Sequence, residues 1–199
     1  MKHAVLRYLL GLFVSCAAAV SAGEEPWYVT KFGEKLVSSS GAEAPVRNVL
    51  EGKTVGVYIA ASWNASCRYH TPKLERFYRS VARKYDFTVV FVSSDRSRDE
   101  MIDHMNEKNR SMPWYAVPFD SPRREELLKD FRGNVLPRLI VFDKDGKVLS
   151  RSAIWDVAVL GERAVLRWRS SNYKPLTGSD YLKKYDKKHS KKSSKKHSR

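Results

Sequence analysis

Cys67 is the residue of this chain whose type and position could support chemistry, and it ends the stretch WNASC at residues 63–67. The apolar run TVGVYIAA precedes the stretch at 54–61, and an amphipathic segment follows it at 68–85. A strand-to-helix junction of this kind presents main-chain N–H groups and the positive end of the helix dipole, an environment that lowers the pKa of a thiol. Two thiols separated by two residues would form a redox pair there. Asn64 holds the first of these positions, so only one thiol of the pair is present.

Asn64 and Cys67 each have a structural explanation as well as a chemical one. Asparagine is a good helix N-cap, so we expect Asn64 to begin the helix and to take no part in thiol chemistry. Cys67 is either buried and inert or available as a single thiol. Arg68 adjoins it and His70 lies one helical turn on, and a positive charge on either would favour the thiolate. We nevertheless expect His70 to be a surface residue of the helix.

The segment WNASCRYHTPKLERFY at 63–78 resembles the W-C-x-x-C-R-x-x-T-P-x-L-x-x-F-Y signature of the tryparedoxin and nucleoredoxin branch of the thioredoxin superfamily. Three later segments are similar to landmarks of the same family in the same order: FVSSDRSRDEM at 91–101, MPWYAVPF at 112–119 and NVLPRLIVFDKDGKVLS at 134–150. The resemblance implies a thioredoxin-like fold and thiol–disulfide exchange. In that exchange a first cysteine attacks the target disulfide and a second resolves the mixed disulfide. Asn64 replaces the first cysteine, and Cys67 occupies the resolving position.

The resemblance also implies a binding groove. Leu136-Pro137 matches the cis-proline position of the family, which lies against the redox turn and offers main chain to a bound peptide. The implied groove consists of Trp63, Asn64, Leu136 and Pro137, with a protein or peptide as its partner. Trp63 and Trp114 either flank this surface or pack in the core, and the sequence leaves both alternatives open.

The hydrophobic pattern predicts an α/β fold, with a central mixed β-sheet flanked by helices on both faces. Continuous apolar runs at 55–61 and 87–94 are typical of strands that are buried on both sides. LIVF at 139–142 and KVLS at 147–150 flank a DKDG turn and predict a hairpin. A short strand is expected near Lys35–Val37.

Helix starts follow from capping residues. Ser97 begins a predicted helix that reaches about residue 108. Ser121, followed by Pro122, begins another that reaches about residue 131. The apolar segment IWDVAVLGERAVLRW is expected to pack on the core, with a final helix from about Gly161.

Residues 1–22 are typical of a secretory signal peptide. Lys2 and Arg7 precede an apolar run at 8–20, and small residues precede the expected cleavage after Ala22. The run is shorter than a membrane span requires, and a lipoprotein attached through Cys16 is the less favoured alternative. We therefore expect a secreted or periplasmic protein. Its mature chain would carry Cys67 as the only cysteine, so that no internal disulfide could form.

The expected domain organisation is an N-terminal segment at 23–33, a thioredoxin-like domain at 34–176 and a disordered, Lys-rich tail at 177–199. The last seventeen residues, 183–199, hold eight lysines and Arg199 against a single aspartate, a net charge of +8 within a total of +15 for the chain. They contain no apolar cluster, so they cannot bury enough surface to fold. Such an arm either binds polyanions, such as an acidic glycan, a nucleic acid or a lipid surface, by counterion release, or serves only solubility.

Two classes of function remain open from the sequence. The favoured hypothesis is a redox-impaired, thioredoxin-fold module that binds a peptide or protein. The alternative is an enzyme, a monothiol or weak thiol–disulfide oxidoreductase acting through Cys67. We expect a monomer without a cofactor, and no metal site, because the histidines have no metal-ligand spacing with Cys67.

Overall fold

The computed structural model describes residues 25–108, 111–170, 172–184 and 186–187. The expected signal peptide, its cleavage site, Cys16 and most of the Lys-rich tail lie outside these ranges. No helix in the described part of the chain is long and apolar enough to cross a membrane.

The helices and strands of the described residues follow one another in this order: α1 (Trp27–Phe32), β1 (Lys35–Val37), β2 (Glu43–Pro45), α2 (Val46–Leu50), β3 (Thr54–Ala60), α3 (Ala65–Val81), β4 (Phe87–Ser93), α4 (Arg98–Asn106), β5 (Tyr115–Ala116), α5 (Pro122–Phe131), β6 (Arg138–Phe142), β7 (Val148–Ser150), α6 (Ala153–Leu160) and α7 (Arg163–Trp168). Residues 178–184 are also helical.

The described strands form one mixed sheet of seven strands in the order β2-β1-β5-β4-β3-β6-β7. The two central strands, β3 and β4, pair in parallel along their whole length, and β3 pairs antiparallel with β6 on its other side. Every residue of β3 and β4 is buried. The prediction of an α/β fold with two fully buried strands is therefore confirmed.

Alternate side chains of the sheet contact helices on opposite faces. On one face, the Tyr58 hydroxyl of β3 lies 2.8 Å from Thr71 Oγ1 of α3. On the other, Phe142 of β6 stacks on Trp27 of α1 and meets Phe131 of α5 edge-on. Because Phe142 is opposite Val55 in the register, and Val55 and Tyr58 have opposite parity along β3, the two helix layers lie on different faces.

The helix starts that were predicted from capping residues are confirmed. Asn64 Oδ1 accepts hydrogen bonds from two main-chain N–H groups of α3. Ser97 Oγ accepts from the Glu100 N–H, and Ser121 Oγ accepts from the Arg123 N–H. The helix after Ser97 ends at Asn106, slightly before the predicted end, because the next residue is extended.

The folded unit is longer at both ends than the predicted 34–176 domain. At the N-terminus, Tyr28, Val29 and Phe32 of α1 are buried in the core, so the segment assigned to 23–33 contributes to the domain. At the C-terminus, residues 177–184 were expected to be disordered, yet they are helical from residue 178 and pack against the domain. Both segments are short and mixed in polarity, so their burial depends on partners distant in sequence.

A buried carboxylate holds the C-terminal residues in place. Asp156 of α6 is fully buried, and its Oδ2 accepts hydrogen bonds from the Trp168 indole at 2.8 Å and the Tyr173 hydroxyl at 2.5 Å. Its Oδ1 accepts from the Leu176 N–H at 3.1 Å. We name residues 172–184 the C-terminal strap. The helix predicted from about Gly161 corresponds to α7, and the apolar residues before it form a separate helix, α6.

Candidate functional site

A buried aspartate, Asp95, stabilises the turn between β3 and α3. Asp95 Oδ1 accepts a hydrogen bond from the Ser62 N–H at 2.6 Å, and its Oδ2 accepts one from Ser93 Oγ at 2.8 Å. His104 Nδ1 lies 3.1 Å from the same Oδ2. Burial alone would raise the pKa of Asp95, but the hydrogen bonds from His104, Ser62 and Ser93 hold that pKa below its ordinary value. The carboxylate that stabilises the turn is therefore ionised at neutral pH.

Asn64 is occupied with capping α3. Its Oδ1 accepts hydrogen bonds from the N–H groups of Ser66 at 2.9 Å and Cys67 at 3.1 Å. Its own N–H donates to the Ala61 carbonyl at 3.2 Å. The structure thus places Asn64 in the N-cap role that its residue type predicts.

Cys67 faces the protein interior. The residue is fully buried, and Cys67 is a free thiol. Burial raises its pKa to about 11, and the charge of Asp95 acts in the same direction, while the Ala61 main chain and Arg68 only partly oppose the shift. A thiol with this pKa is almost entirely protonated at neutral pH, and it is the thiolate that attacks disulfides. The environment of Cys67 therefore opposes nucleophilic chemistry.

The expectation that His70 lies on the surface is wrong. His70 is only 4% exposed, because Trp155 of α6 covers it with the two rings edge-on and 5.5 Å apart. Burial, assisted by the charge of Lys73, lowers the pKa of His70 to about 4. The imidazole is consequently neutral at physiological pH, and it supplies no positive charge to favour a thiolate at Cys67.

Trp63 and Trp114, which could lie either beside the groove or in the core, have different environments. Trp114 is buried and meets Tyr58 and Tyr78 edge-on, at 6.3 Å and 5.4 Å between ring centroids, so it belongs to the core. Trp63 is 43% exposed and stands at the surface of the turn.

A groove of about 320 Å³ separates the first turns of α3 from the loop before β6 and the start of α6. The Leu136-Pro137 peptide bond is cis, and both residues line the groove. Trp63 and Asn64 are not part of its lining, since Asn64 is turned towards the main chain of α3. The lining includes several residues that the sequence reading did not assign to a groove: Ser66, His70, Val135, Arg138, Arg151, Ser152, Ile154 and Trp155.

The loop before the cis-proline leaves main chain available for pairing. Val135 is 66% exposed at the rim of the groove. No main-chain hydrogen bond joins Val135 or Leu136 to another described residue outside the regular elements. At the exposed position of Val135, the unpaired main-chain groups are of the kind with which an extended peptide can pair.

The match to known proteins includes the turn before α3 and the cis-proline loop. A family model described as thioredoxin-like matches residues 52–148. The solved structure of tryparedoxin I from Crithidia fasciculata is 32% identical in sequence, covers 75% of this chain and 96% of its own, and superposes with a TM-score of 0.62. The chain belongs to the thioredoxin-like family.

Further relatives of this thioredoxin-like protein are nucleoredoxins and tryparedoxins. Nucleoredoxin from Bos taurus is 36% identical over 64% of this chain, and probable nucleoredoxin 1 from Arabidopsis thaliana is 34% identical over 65% of it. The chain spans only 30% and 22% of the length of these two curated relatives. Tryparedoxin II from C. fasciculata matches 74% of this chain and 97% of its own, at 29% identity and a TM-score of 0.65.

Within the described ranges, no group of three or more histidine, cysteine, aspartate or glutamate residues is arranged to hold a metal ion.

Proposed function

We propose that this thioredoxin-like protein is a redox-impaired module that binds extended peptide segments of partner proteins in the groove beside Pro137. The observation that carries the proposal is the burial of Cys67, whose pKa is raised to about 11. The residue three positions earlier, Asn64, has no thiol and is engaged in capping the helix. Neither position offers an exposed thiolate, so exchange with a target disulfide is disfavoured.

The groove supplies what a peptide needs. Its walls combine apolar surface from Ile154 and Trp155 with the main chain of the loop at 135–136. Main-chain pairing gives affinity for an extended segment, and the pockets beside it select side chains. A related chain, tryparedoxin II at 28% identity, has been solved in complex with glutathionylspermidine, which supports a ligand-binding role for a protein of this fold.

The alternative is a monothiol or weak oxidoreductase acting through Cys67. It would require the first turn of α3 to open and expose the thiol. The cap by Asn64 and the hydrogen bond from the Thr71 hydroxyl to the Cys67 carbonyl, at 2.9 Å, both stabilise the closed turn. The binding module is therefore the better-supported function.

Location outside the cytoplasm is part of the proposal and is supported only by the signal-peptide pattern of residues 1–22. N-terminal sequencing of the protein recovered from its native source should find the chain beginning at Gly23. An N-terminus at Met1 would contradict this part of the proposal.

The loss of redox activity is tested by dithiothreitol-driven reduction of insulin, in which we expect no turnover above the uncatalysed rate.

Peptide binding is tested by selecting peptides from a random library and measuring their affinity for two variants. Val135→Gln changes an exposed apolar residue at the groove, and Leu166→Gln changes one on α7. We expect about a fivefold loss of affinity for the first, from lost apolar contact, and none for the second. Equal peptide affinities for the two variants would mean that the peptide does not bind at Val135.

A further inference from the structure

His70 is a nearly buried polar side chain of the groove whose ring nitrogens have no partner. The residue lines the groove and is only 4% exposed, and its ring meets Trp155 and Tyr69 edge-on, at 5.5 Å and 5.1 Å between centroids. Within the described part of the chain, its imidazole makes no hydrogen bond. The unpartnered nitrogens that are sealed from solvent there are Trp114 Nε1 and Arg138 Nε. The nitrogens of His70 are not sealed, and the groove is the opening beside them.

The imidazole of His70 places a condition on any ligand that fills the groove. Because its pKa is lowered to about 4, the ring is neutral at physiological pH and offers one N–H donor and one nitrogen acceptor. A ligand that covers the ring removes solvent from these nitrogens. It must then supply a hydrogen bond of its own or leave a buried polar group unsatisfied, which is unfavourable.

Apart from His70, the groove offers mainly apolar surface. No aspartate or glutamate lines it. Its two arginines direct their charge towards α5, since the Arg151 guanidinium lies 5.7 Å from the Phe131 ring centroid and Arg138 Nη2 donates to the Arg151 carbonyl at 3.2 Å. Besides two serines, the remaining lining is apolar: Val135, Leu136, Pro137, Leu139, Ile154 and Trp155.

A tyrosine side chain meets both conditions. Its ring supplies apolar surface for the walls, and its hydroxyl both donates and accepts, so it can bond to the imidazole in either tautomer. Phenylalanine would cover the imidazole without a hydrogen bond. An ammonium would find no acidic residue in the lining, and a carboxylate would require the imidazole to take up a proton, which burial opposes. The volume of about 320 Å³ lies at the lower end of the range for ligand pockets, which suits one side chain with its flanking main chain.

We propose that the groove binds a tyrosine side chain of the partner segment, with its ring against Pro137 and Trp155 and its hydroxyl hydrogen-bonded to the His70 imidazole. His70 is then the residue that determines which side chain the groove selects. This inference rests on the proposed peptide-binding function and adds the identity of the side chain that is bound.

The test measures, by fluorescence polarisation, the binding of three labelled peptides that alternate valine with threonine and differ only in a central tyrosine, phenylalanine or alanine. We expect the tyrosine peptide to bind the purified protein about tenfold more tightly than the phenylalanine peptide, because only tyrosine replaces the hydrogen bond that the imidazole loses. His70→Phe keeps an aromatic ring beside Trp155 but removes both nitrogens, so the two peptides should bind it equally. Tyr69→Phe, which removes a neighbouring hydroxyl outside the lining, is the matched control and should keep the preference.

Two results would overturn the selection of tyrosine by His70. Equal affinities of the unmodified protein for the tyrosine and phenylalanine peptides overturn the selection and leave the proposed function standing, whereas absence of binding by all three peptides overturns both. A preference that survives His70→Phe, or that disappears in Ser66→Ala instead, overturns the role of His70.

Thermal unfolding checks that His70→Phe is folded. If it is not, the nitrogen NMR resonances of the His70 ring in the unmodified protein decide. They should shift more on saturation with the tyrosine peptide than with the phenylalanine peptide, and equal shifts overturn the hydrogen bond.

Discussion

Asn64 Oδ1 lies 3.1 Å from the main-chain nitrogen of Cys67. Asn64, at the first position of the motif, thus caps α3. Cys67, at the last position, lies in the first turn of the same helix with its thiol buried. Asn64→Cys therefore changes two properties at once, the stability of the helix start and the number of thiols in the turn, whereas Asn64→Ala changes only the first.

Loss of the cap should destabilise the protein. Asn64→Ala removes the acceptor for two N–H groups of α3, so we expect the free energy of unfolding to fall by about 1 kcal/mol. Asn64→Asp keeps a side-chain oxygen at the same place and should stay close to wild type. Urea denaturation of the three proteins measures the difference. If alanine and aspartate have the same effect, the cap is not what stabilises this turn.

A second thiol should restore redox activity. Asn64→Cys, in a background with Cys16→Ser, places two thiols at the spacing that permits a disulfide with Cys67. We expect a disulfide to form under mild oxidant and insulin to be reduced with dithiothreitol as the electron source. Asn64→Ser retains a capping residue without adding a thiol and should remain inactive. A fully reduced Asn64→Cys protein after oxidation would contradict the geometry of the turn.

The native thiol should react slowly with thiol reagents. Because burial raises the pKa of Cys67 to about 11, the thiolate fraction at neutral pH is small and the reaction should accelerate up to about pH 11. Denaturant should abolish the protection. The control is Ser66→Cys combined with Cys67→Ser, which moves the thiol by one residue to an exposed position. Equal native rates for the two proteins would show that Cys67 is accessible.

His70 should make stability depend on pH. Its pKa in the folded protein is lowered to about 4, whereas in the unfolded chain it has its ordinary value of about 6.5. Between these values the unfolded state binds more protons, so stability falls as the pH decreases from 6.5 to about 4, by up to about 3 kcal/mol. His70→Leu removes this proton uptake. Urea midpoints of both proteins should diverge in their pH dependence across that window, and parallel curves would mean that His70 is protonated freely in the folded state.

The Lys-rich tail should bind polyanions in a salt-dependent way. If it makes several phosphate contacts with duplex DNA, the affinity should fall by orders of magnitude between roughly 50 and 200 mM salt, with a slope of about −0.9 per contact. Removal of residues 188–199 should abolish most of the binding and leave thermal unfolding unchanged. As a composition control, the same lysines changed to glutamine should behave like the truncation. Undiminished binding after truncation would assign the affinity to the folded domain.

The features that could be predicted from the sequence are those with local signals. The two central strands appear as unbroken apolar runs, and Asn64, Ser97 and Ser121 are capping residues that act within three positions along the chain. The cis-proline could be placed only through the resemblance. The environment of a side chain that depends on a distant partner could not be predicted in this way.

His70 and the C-terminal strap illustrate that limit. His70 has the sequence neighbours of a surface residue, and only the packing of Trp155 from α6 buries it. The strap is short and polar, and its order depends on Asp156 and on aromatic contacts between Tyr181 and residues far back in the chain. The groove likewise draws its lining from three separate segments, so Arg138 and Arg151 gave no signal along the sequence.

Because Asp156 is hydrogen-bonded by residues as far along the chain as Leu176, the folded domain is longer than the segment that the family model matches. The family match ends at residue 148, ahead of the aspartate and of all the donors that surround it. A fragment ending after α7 would keep the Trp168 indole but lose the Tyr173 hydroxyl and the Leu176 N–H, leaving a carboxylate in the interior with too few hydrogen bonds. We therefore expect a fragment bounded by the family match to be unstable, and autonomous folding to require the chain at least as far as Leu176.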